Sequence, residues 1–236
     1  AITQAAPKRT KVFEFGKSWE GRPLRLIAIS SENNINRLEA LRQRMEKVAS
    51  GSADAAKETA DLPTFVWINQ TIHGNESASF ESGMFLLYNF AASNHRDIKS
   101  MLDKTVVLLN PVYNPDGHER FTVWNQSIGI GSDHPSALER SEPNWVRGRS
   151  NHYRFDMNRD RVALSQAETR AEVKEFLRWN PQVYIDQHGQ TSEYFFPPNP
   201  MSVHEGVQRD RFNKWTDVFG RGYAKDFDAK GWLYFV

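Results

Sequence analysis

The sequence predicts an α/β fold, with a mixed, mostly parallel central sheet and helices on both faces. Three observations carry this expectation. Short apolar and β-branched runs alternate with segments whose apolar residues recur every three to four positions. The 236 residues are 39% hydrophobic and 12% aromatic, enough to bury a substantial core, and they fit one large domain (1–236) better than two small ones. Finally, polar clusters at 70–76, 110–117 and 186–190 each follow an apolar run at once. That places them beyond strand carboxyl ends, where sheets of this kind hold their ligands.

In chain order, Glu20-Gly21-Arg22-Pro23 is a turn leading into a strand over 24–29. Ile35, Leu38, Leu41, Met45 and Val48 recur at helical spacing and predict an amphipathic helix. Residues 50–63 are small, polar and aperiodic, a surface loop. Residues 64–69 form the next strand. Asn75 is then placed to cap a helix from Glu76 to about Ala92, with Phe80, Met84, Leu87 and Tyr88 on one face. A strand over 105–109 runs into a turn-rich stretch at 110–117, and 125–154 lacks clean periodicity, a long functional excursion. Ser165-Gln166-Ala167-Glu168 has the form of a capping box, opening a helix that Asn180-Pro181 closes. A strand over 182–186 delivers His188. Val207, Arg211, Trp215 and Val218 mark a last helix, and 231–236 reads as the start of another strand.

Composition removes several function classes. Thirty Lys and Arg against 29 Asp and Glu leave a net charge of +1, so no basic field points to nucleic acid. With no cysteine, disulfide frameworks and thiolate chemistry are excluded, and any metal must be held by His, Asp and Glu. No run of about 18 apolar residues is present to span a membrane. The first residues lack a charged and an apolar signal region, so any signal peptide is expected to be gone already. The compartment stays open, with a secreted or periplasmic one favoured.

The clusters carry the chemistry. His73 leaves a strand end and Glu76 sits three residues on, a spacing that lets an imidazole and a carboxylate meet on one ion. A catalytic zinc takes three protein ligands, and His188 arrives from another strand end to supply the third. On its own an H-x-x-E pair is common, and a helix dipole favours glutamate in a first turn without any metal. His95, His118, His134, His152 and His204 lie in polar stretches and read as surface residues. In 154–160, Asn158 beside Arg159 makes a clamp for a carboxylate. A solvated charged loop is an equal alternative there.

These pieces together resemble the zinc carboxypeptidase family, the group related to carboxypeptidases A and B. The resemblance rests on His73-Gly74-Asn75-Glu76, Asn114-Pro115-Asp116-Gly117, Asp156-Met157-Asn158-Arg159 and His188, in that order, with the lead-in over 16–24. It implies hydrolysis of C-terminal amino acids from peptides carrying a free terminal carboxylate, through a water activated by one zinc ion. His73, Glu76 and His188 would be the zinc ligands. Asn158 and Arg159 would grip the terminal carboxylate, and Arg149, with Arg147 as runner-up, would stabilise the oxyanion. Asp116 would serve its turn, and Asp186 is a candidate supporting group for His188, with a side chain that could face away from it.

The family's general-base glutamate and its substrate-capping tyrosine lie well downstream of the third ligand. Glu193 and Glu205 come too early for the first role, and Tyr194, Tyr223 and Tyr234 lack the context for the second. The general base is therefore expected outside this chain, which would be a domain incomplete at its C-terminus and inactive by itself. Two alternatives remain open: a zinc-binding pseudoenzyme, and an amidohydrolase acting on N-acyl amino acids or cell-wall peptides. The aromatic–proline stretch 194–198 could wall the cleft or pack a loop.

Overall fold

Apolar runs become strands where both of their faces can be covered. In the computed structural model, which describes residues 1–52, 54–128, 142–189 and 204–234, β1 (Thr10–Lys17), β2 (Pro23–Ile29), β3 (Thr64–Gln70), β4 (Thr105–Asn110) and β5 (Val183–Gln187) form one sheet in the order β1-β2-β4-β3-β5. The sheet is mixed: β1–β2 and β2–β4 pair antiparallel, whereas β4–β3 and β3–β5 pair parallel. The carboxyl ends of β3, β4 and β5 therefore share one edge.

Side chains alternate across each strand, and the core divides accordingly. Leu26, Ala28, Phe65, Trp67, Val106 and Leu108 face one side, where they meet Ile35, Leu38, Leu41, Met45 and Trp179. Ile27, Ile29, Ile68, Val107 and Leu109 face the other, against Leu87 and Leu102. Burying a large apolar side chain contributes about 1.5–3 kcal/mol, so the two layers dominate the stability. The buried indoles keep their polar atoms bonded: Trp67 Nε1 donates to Asn69 Oδ1 at 2.7 Å and Trp179 Nε1 to Glu175 Oε1 at 2.7 Å.

The helices fill in around this frame, after a short N-terminal α1 (Ile2–Ala5). The expected first amphipathic helix is two pieces, α2 (Glu32–Asn36) and α3 (Leu38–Ala49), broken at Arg37. The 50–63 loop holds a one-turn helix, α4 (Ala55–Thr59), because Asp54 accepts from the N–H groups of Ala56 and Lys57. In α5 (Ser77–Ala92) the buried stripe is Ser79, Gly83, Leu87 and Ala91, while Met84 and Tyr88 are exposed. The helix begins after Glu76 with no side-chain cap. Asn75 instead donates to Glu142 Oε2 at 2.7 Å. Besides the short α1 and α4, two longer helices stand where none was expected, α6 (Arg96–Lys104) and α7 (Pro115–Ile128). The second starts on a proline, which lacks only an N–H that the first turn would leave unpaired.

α8 (Ala167–Trp179) departs from the capping-box reading. Its N-cap is Gln166, without a cap bond, and the work of Ser165 passes to Asp160. That carboxylate accepts from Ser165 N (2.9 Å), Ser165 Oγ (2.5 Å) and Gln166 N (2.9 Å). Asn180 closes the helix in the left-handed conformation, φ 47°.

All of this lies in a unit spanning residues 1–189; residues 190–236 form a second unit. Its described part carries α9 (Arg209–Lys230), ended by Gly231 at φ 67°. The strand expected over 231–236 is not found among the described residues 231–234. There the chain folds back, with Trp232 N donating to Phe227 O at 3.0 Å and its ring edge-on to Phe227. Among the described residues, no helix is long and apolar enough to cross a membrane.

Candidate metal centre

β3 ends at Gln70, and the chain must then turn sharply. Thr71 takes φ 60°, a costly conformation for a β-branched residue. It is held there by its N–H donating to Ser79 Oγ (2.6 Å) and by its carbonyl accepting from Asn114 N (3.0 Å). His73 follows, 1% exposed. Close packing fixes the next residue: a Cβ on Gly74 would lie 2.1 Å from His118 N. Glu76 sits at the mouth of α5, and β5 brings His188 from the adjacent strand.

Donor atoms of His73, Glu76 and His188 all lie within 4.8 Å of one another. Nδ1 of His73 is 2.8 Å from Glu76 Oε1 and 3.1 Å from His188 Nδ1, and His188 Nδ1 is 3.1 Å from Glu76 Oε2. Arg149 Nη1 lies 3.1 Å from the same His73 nitrogen. These neighbours make incompatible demands on it, because a guanidinium can only donate and a carboxylate can only accept. No single proton placement satisfies both. A cation between the two nitrogens and the carboxylate would give all three a common partner and free Arg149 to point elsewhere, and bonds of about 2.0–2.1 Å in tetrahedral geometry would set such ligand atoms about 3.3 Å apart. The residues present therefore fit a divalent metal of the zinc type.

Each imidazole is braced at its other nitrogen, as ligating histidines are. His73 Nε2 is 3.1 Å from Asp156 Oδ1, and Asp156 Oδ2 accepts from Arg149 Nε (3.0 Å) and pairs with Nη2 (2.9 Å). His188 Nε2 is 3.5 Å from Asp186 Oδ2, so Asp186 does reach the histidine, as alternate residues along an extended chain share a face. Burial works to raise the Glu76 pKa, but bonds from His188, His73 and Gly189 N–H outweigh it and hold the carboxyl at about 2. His188 is pushed up to about 9, chiefly by Asp186 and then by Glu76. A metal must therefore displace a proton from it at neutral pH.

The remaining sequence candidates lie around this group. Arg149 is in it; Arg147 is exposed, at φ 47°, and among the described residues only its carbonyl is engaged, by Arg120 and Ser150. Asn158 and Arg159 lie in a single 3-10 turn, Met157–Arg159, which Asp156 opens by accepting from Asn158 N at 3.0 Å. Arg159 is exposed, and its guanidinium donates to Asn158 O. Asp116 is buried, and its carboxylate holds not its own turn but the distant 18–22 turn, accepting from Ser18 Oγ (2.6 Å), Arg22 Nη1 (2.8 Å) and Glu20 N (3.1 Å). Asn114 ties the loops together through Ile72 O (3.2 Å) and Arg149 O (3.1 Å).

His118 departs from the surface reading: half-buried, it places Nδ1 2.9 Å from Gly74 O and its ring 4.6 Å from Phe80. Sequence reasoning also missed Asp156 as the partner of His73, although the DMNR motif had drawn attention to that residue. His134, Glu193, Tyr194 and the 194–198 stretch lie outside the described residues. Glu205, Tyr223 and Tyr234 lie in the second unit.

The zinc carboxypeptidase family model matches residues 1–228. The chain belongs to the zinc carboxypeptidase family. It is 30% identical over 200 residues to carboxypeptidase 2 of Trichophyton equinum, covering 75% of this chain and 31% of that protein. Among solved structures, it resembles a metallo-carboxypeptidase from Burkholderia cenocepacia (TM-score 0.58, 17% identity, 90% of this chain and 45% of that one). It likewise resembles carboxypeptidase A from Helicoverpa armigera (TM-score 0.54, 18% identity, 86% and 48%). The chain thus spans about a third of the length of the curated relatives it matches. As zinc carboxypeptidases are metallopeptidases, the family and the donor set agree on the kind of ion.

Proposed function

We propose that this chain is the metal-binding part of a metallocarboxypeptidase catalytic domain that removes C-terminal amino acids from peptides. One zinc ion would be held by His73, Glu76 and His188. The observation that carries this reading is the convergence of two Nδ1 atoms and one carboxylate at 2.8–3.1 Å beside an arginine. When bound, zinc supplies Lewis-acid polarisation of a carbonyl and makes a water acidic enough to attack near neutral pH.

The chain's own residues would supply position and charge. Asn158 and Arg159 offer an amide and a planar guanidinium to a terminal carboxylate, the geometry that bidentate recognition needs. Arg149, 41% exposed and fixed by Asp156, would turn its free N–H groups to the carbonyl oxygen as charge develops there. Such donors act by being set in place beforehand. Asp156 would hold both Arg149 and His73, so one carboxylate sets the spacing between the oxyanion donor and the metal ligand.

The test is hydrolysis by the protein that carries this chain, loaded with zinc. Substrates are peptides with a free C-terminus, the same peptides amidated, and N-acyl amino acids. Peptide turnover that is lost on amidation and in His73→Ala supports the reading. Turnover confined to acyl amino acids would make the enzyme an amidohydrolase of another substrate class. Zinc binding without any turnover would make the site a recognition module.

A further inference from the structure

Two arginine–aspartate pairs flank the metal group in matching positions. In one, Arg149 holds Asp156 and Asp156 faces His73 Nε2 at 3.1 Å. In the other, Asp186 Oδ2 lies 3.5 Å from His188 Nε2 and 3.8 Å from Arg161 Nη2. The remaining oxygen of Asp186 is buried and has no hydrogen-bond partner among the described residues. The orientation of that carboxylate therefore depends on the two groups its Oδ2 meets, His188 and Arg161.

Arg161 is itself firmly placed. Its Nη1 donates to Glu172 Oε2 (3.1 Å) and Oε1 (3.3 Å), a fully buried carboxylate on α8. The guanidinium lies 5.1 Å from the ring centroid of Tyr184 and 5.7 Å from that of Tyr113, and Nη2 donates to the Tyr184 hydroxyl. Glu172 also accepts from Asn69 Nδ2 at 2.9 Å, and Asn69 donates to Tyr184 at 2.8 Å. A planar fork can span Glu172, Tyr184 and the Asp186 field at once, where a lysine could reach only one. Without it, no cation among the described residues would pair with both the buried Glu172 and the partly buried Asp186.

We propose that Arg161 is a positioning residue for His188, acting through Asp186. It sets the carboxylate that faces the ring's Nε2, so that Nδ1 stays aimed at the metal. The path runs from α8 through Glu172, Arg161 and Asp186 to the third metal-binding side chain. Its contacts at 3.5 and 3.8 Å are ion-pair rather than hydrogen-bond distances, so the arm works by orienting the carboxylate in the field of a fixed charge. The inference rests on the metal site proposed above.

The experiment is a double-mutant cycle read by zinc affinity. Metal-free wild type, Arg161→Met, Asp186→Asn and the double variant are titrated with zinc against a chromogenic chelator. The thermal midpoint of each metal-free protein is measured alongside. Supporting groups of metal ligands typically account for about 10- to 100-fold in affinity. Each single variant is expected to weaken zinc binding within that range, and the double variant by no more than the worse single one. Unchanged affinity in Arg161→Met overturns the inference, even if its midpoint falls. Losses that multiply in the double variant overturn it too, since Arg161 would then act by another route. If Arg161→Met does not fold, Arg161→Gln, which keeps amide donors toward Glu172, runs the same cycle. Wild type that binds no zinc refutes the metal site itself, whereas a zinc-binding wild type with indifferent variants refutes only the role of Arg161.

Discussion

Gly74 stands between two of the three grouped side chains, and adding one methyl there should loosen the site through its backbone. A Cβ would lie 2.1 Å from His118 N, 2.3 Å from Gly117 C and 2.6 Å from Gly148 O. All three are main-chain atoms of the α7 start and the loop leading to Arg149, so no rotamer change relieves the contact. Gly74 is not among the residues with positive φ, and the effect of Gly74→Ala is therefore steric rather than conformational. Reaching ordinary contact would push the 73–76 segment back by roughly 1 Å, whereas metal sites accept distance errors of about 0.2 Å. Overpacking of this kind costs about 1–3 kcal/mol, and each kcal/mol is about 2–4 °C in chains of this size. The midpoint of the metal-free protein should fall by about 2–12 °C in calorimetry. Zinc affinity, by chelator competition, should fall by at least about tenfold, the equivalent of about 1.4 kcal/mol. A variant matching wild type in both would refute the argument that three backbones lock this loop.

The same logic predicts the opposite result in α9, where a Cβ on Gly220 meets nothing within 4 Å: Gly220→Ala should stabilise that helix by about 0.5–1 kcal/mol, checked by denaturant unfolding. Asp160 carries an acid-sensitive share of stability. Burial raises its pKa, but the Ser165 hydroxyl and the N–H groups of Gln166 and Ser165 outweigh this and depress it. Its contribution is present above the unfolded value of about 3.9 and lost as pH falls through the lower folded value. The stability gap between wild type and Asp160→Asn should thus be constant near neutrality and close only in strong acid; a gap that widens on acidification would contradict this. In the protein that carries this chain, Arg149→Ala should lower kcat by about 100- to 1000-fold, with Arg147→Ala near wild type; steady-state assays of the two variants side by side check the assignment.

Legibility in the sequence followed burial. β2, β3 and β4 are continuous apolar runs because both faces are covered, and their clusters marked the edge that holds the site. β1, whose residues 11–17 are all exposed or only partly buried, showed no such run and went unseen. α7 was hidden because Asn114, Pro115 and Gly117 punctuate a loop and open a helix with the same residues. The three grouped side chains were legible because each follows a strand end or opens a helix. Asp186 was legible as a support because it lies two residues before His188, but Asp156 and His118 reach the group from other segments, and convergence of that kind leaves no periodic trace. Gly231 and the aromatic residues after it read as a strand, but that glycine ends α9 in the left-handed conformation and Trp232 packs back on Phe227.

The central claim is that His73, Glu76 and His188 hold one metal ion, and the direct measurement is metal content. The chain should be purified without chelators or affinity metals, equilibrated with zinc, desalted and analysed for metal beside His188→Ala. About one zinc per wild-type chain, lost in the variant with its fold retained, is the predicted result. A well-folded wild type that retains no zinc, or a His188→Ala protein that retains as much, would contradict it.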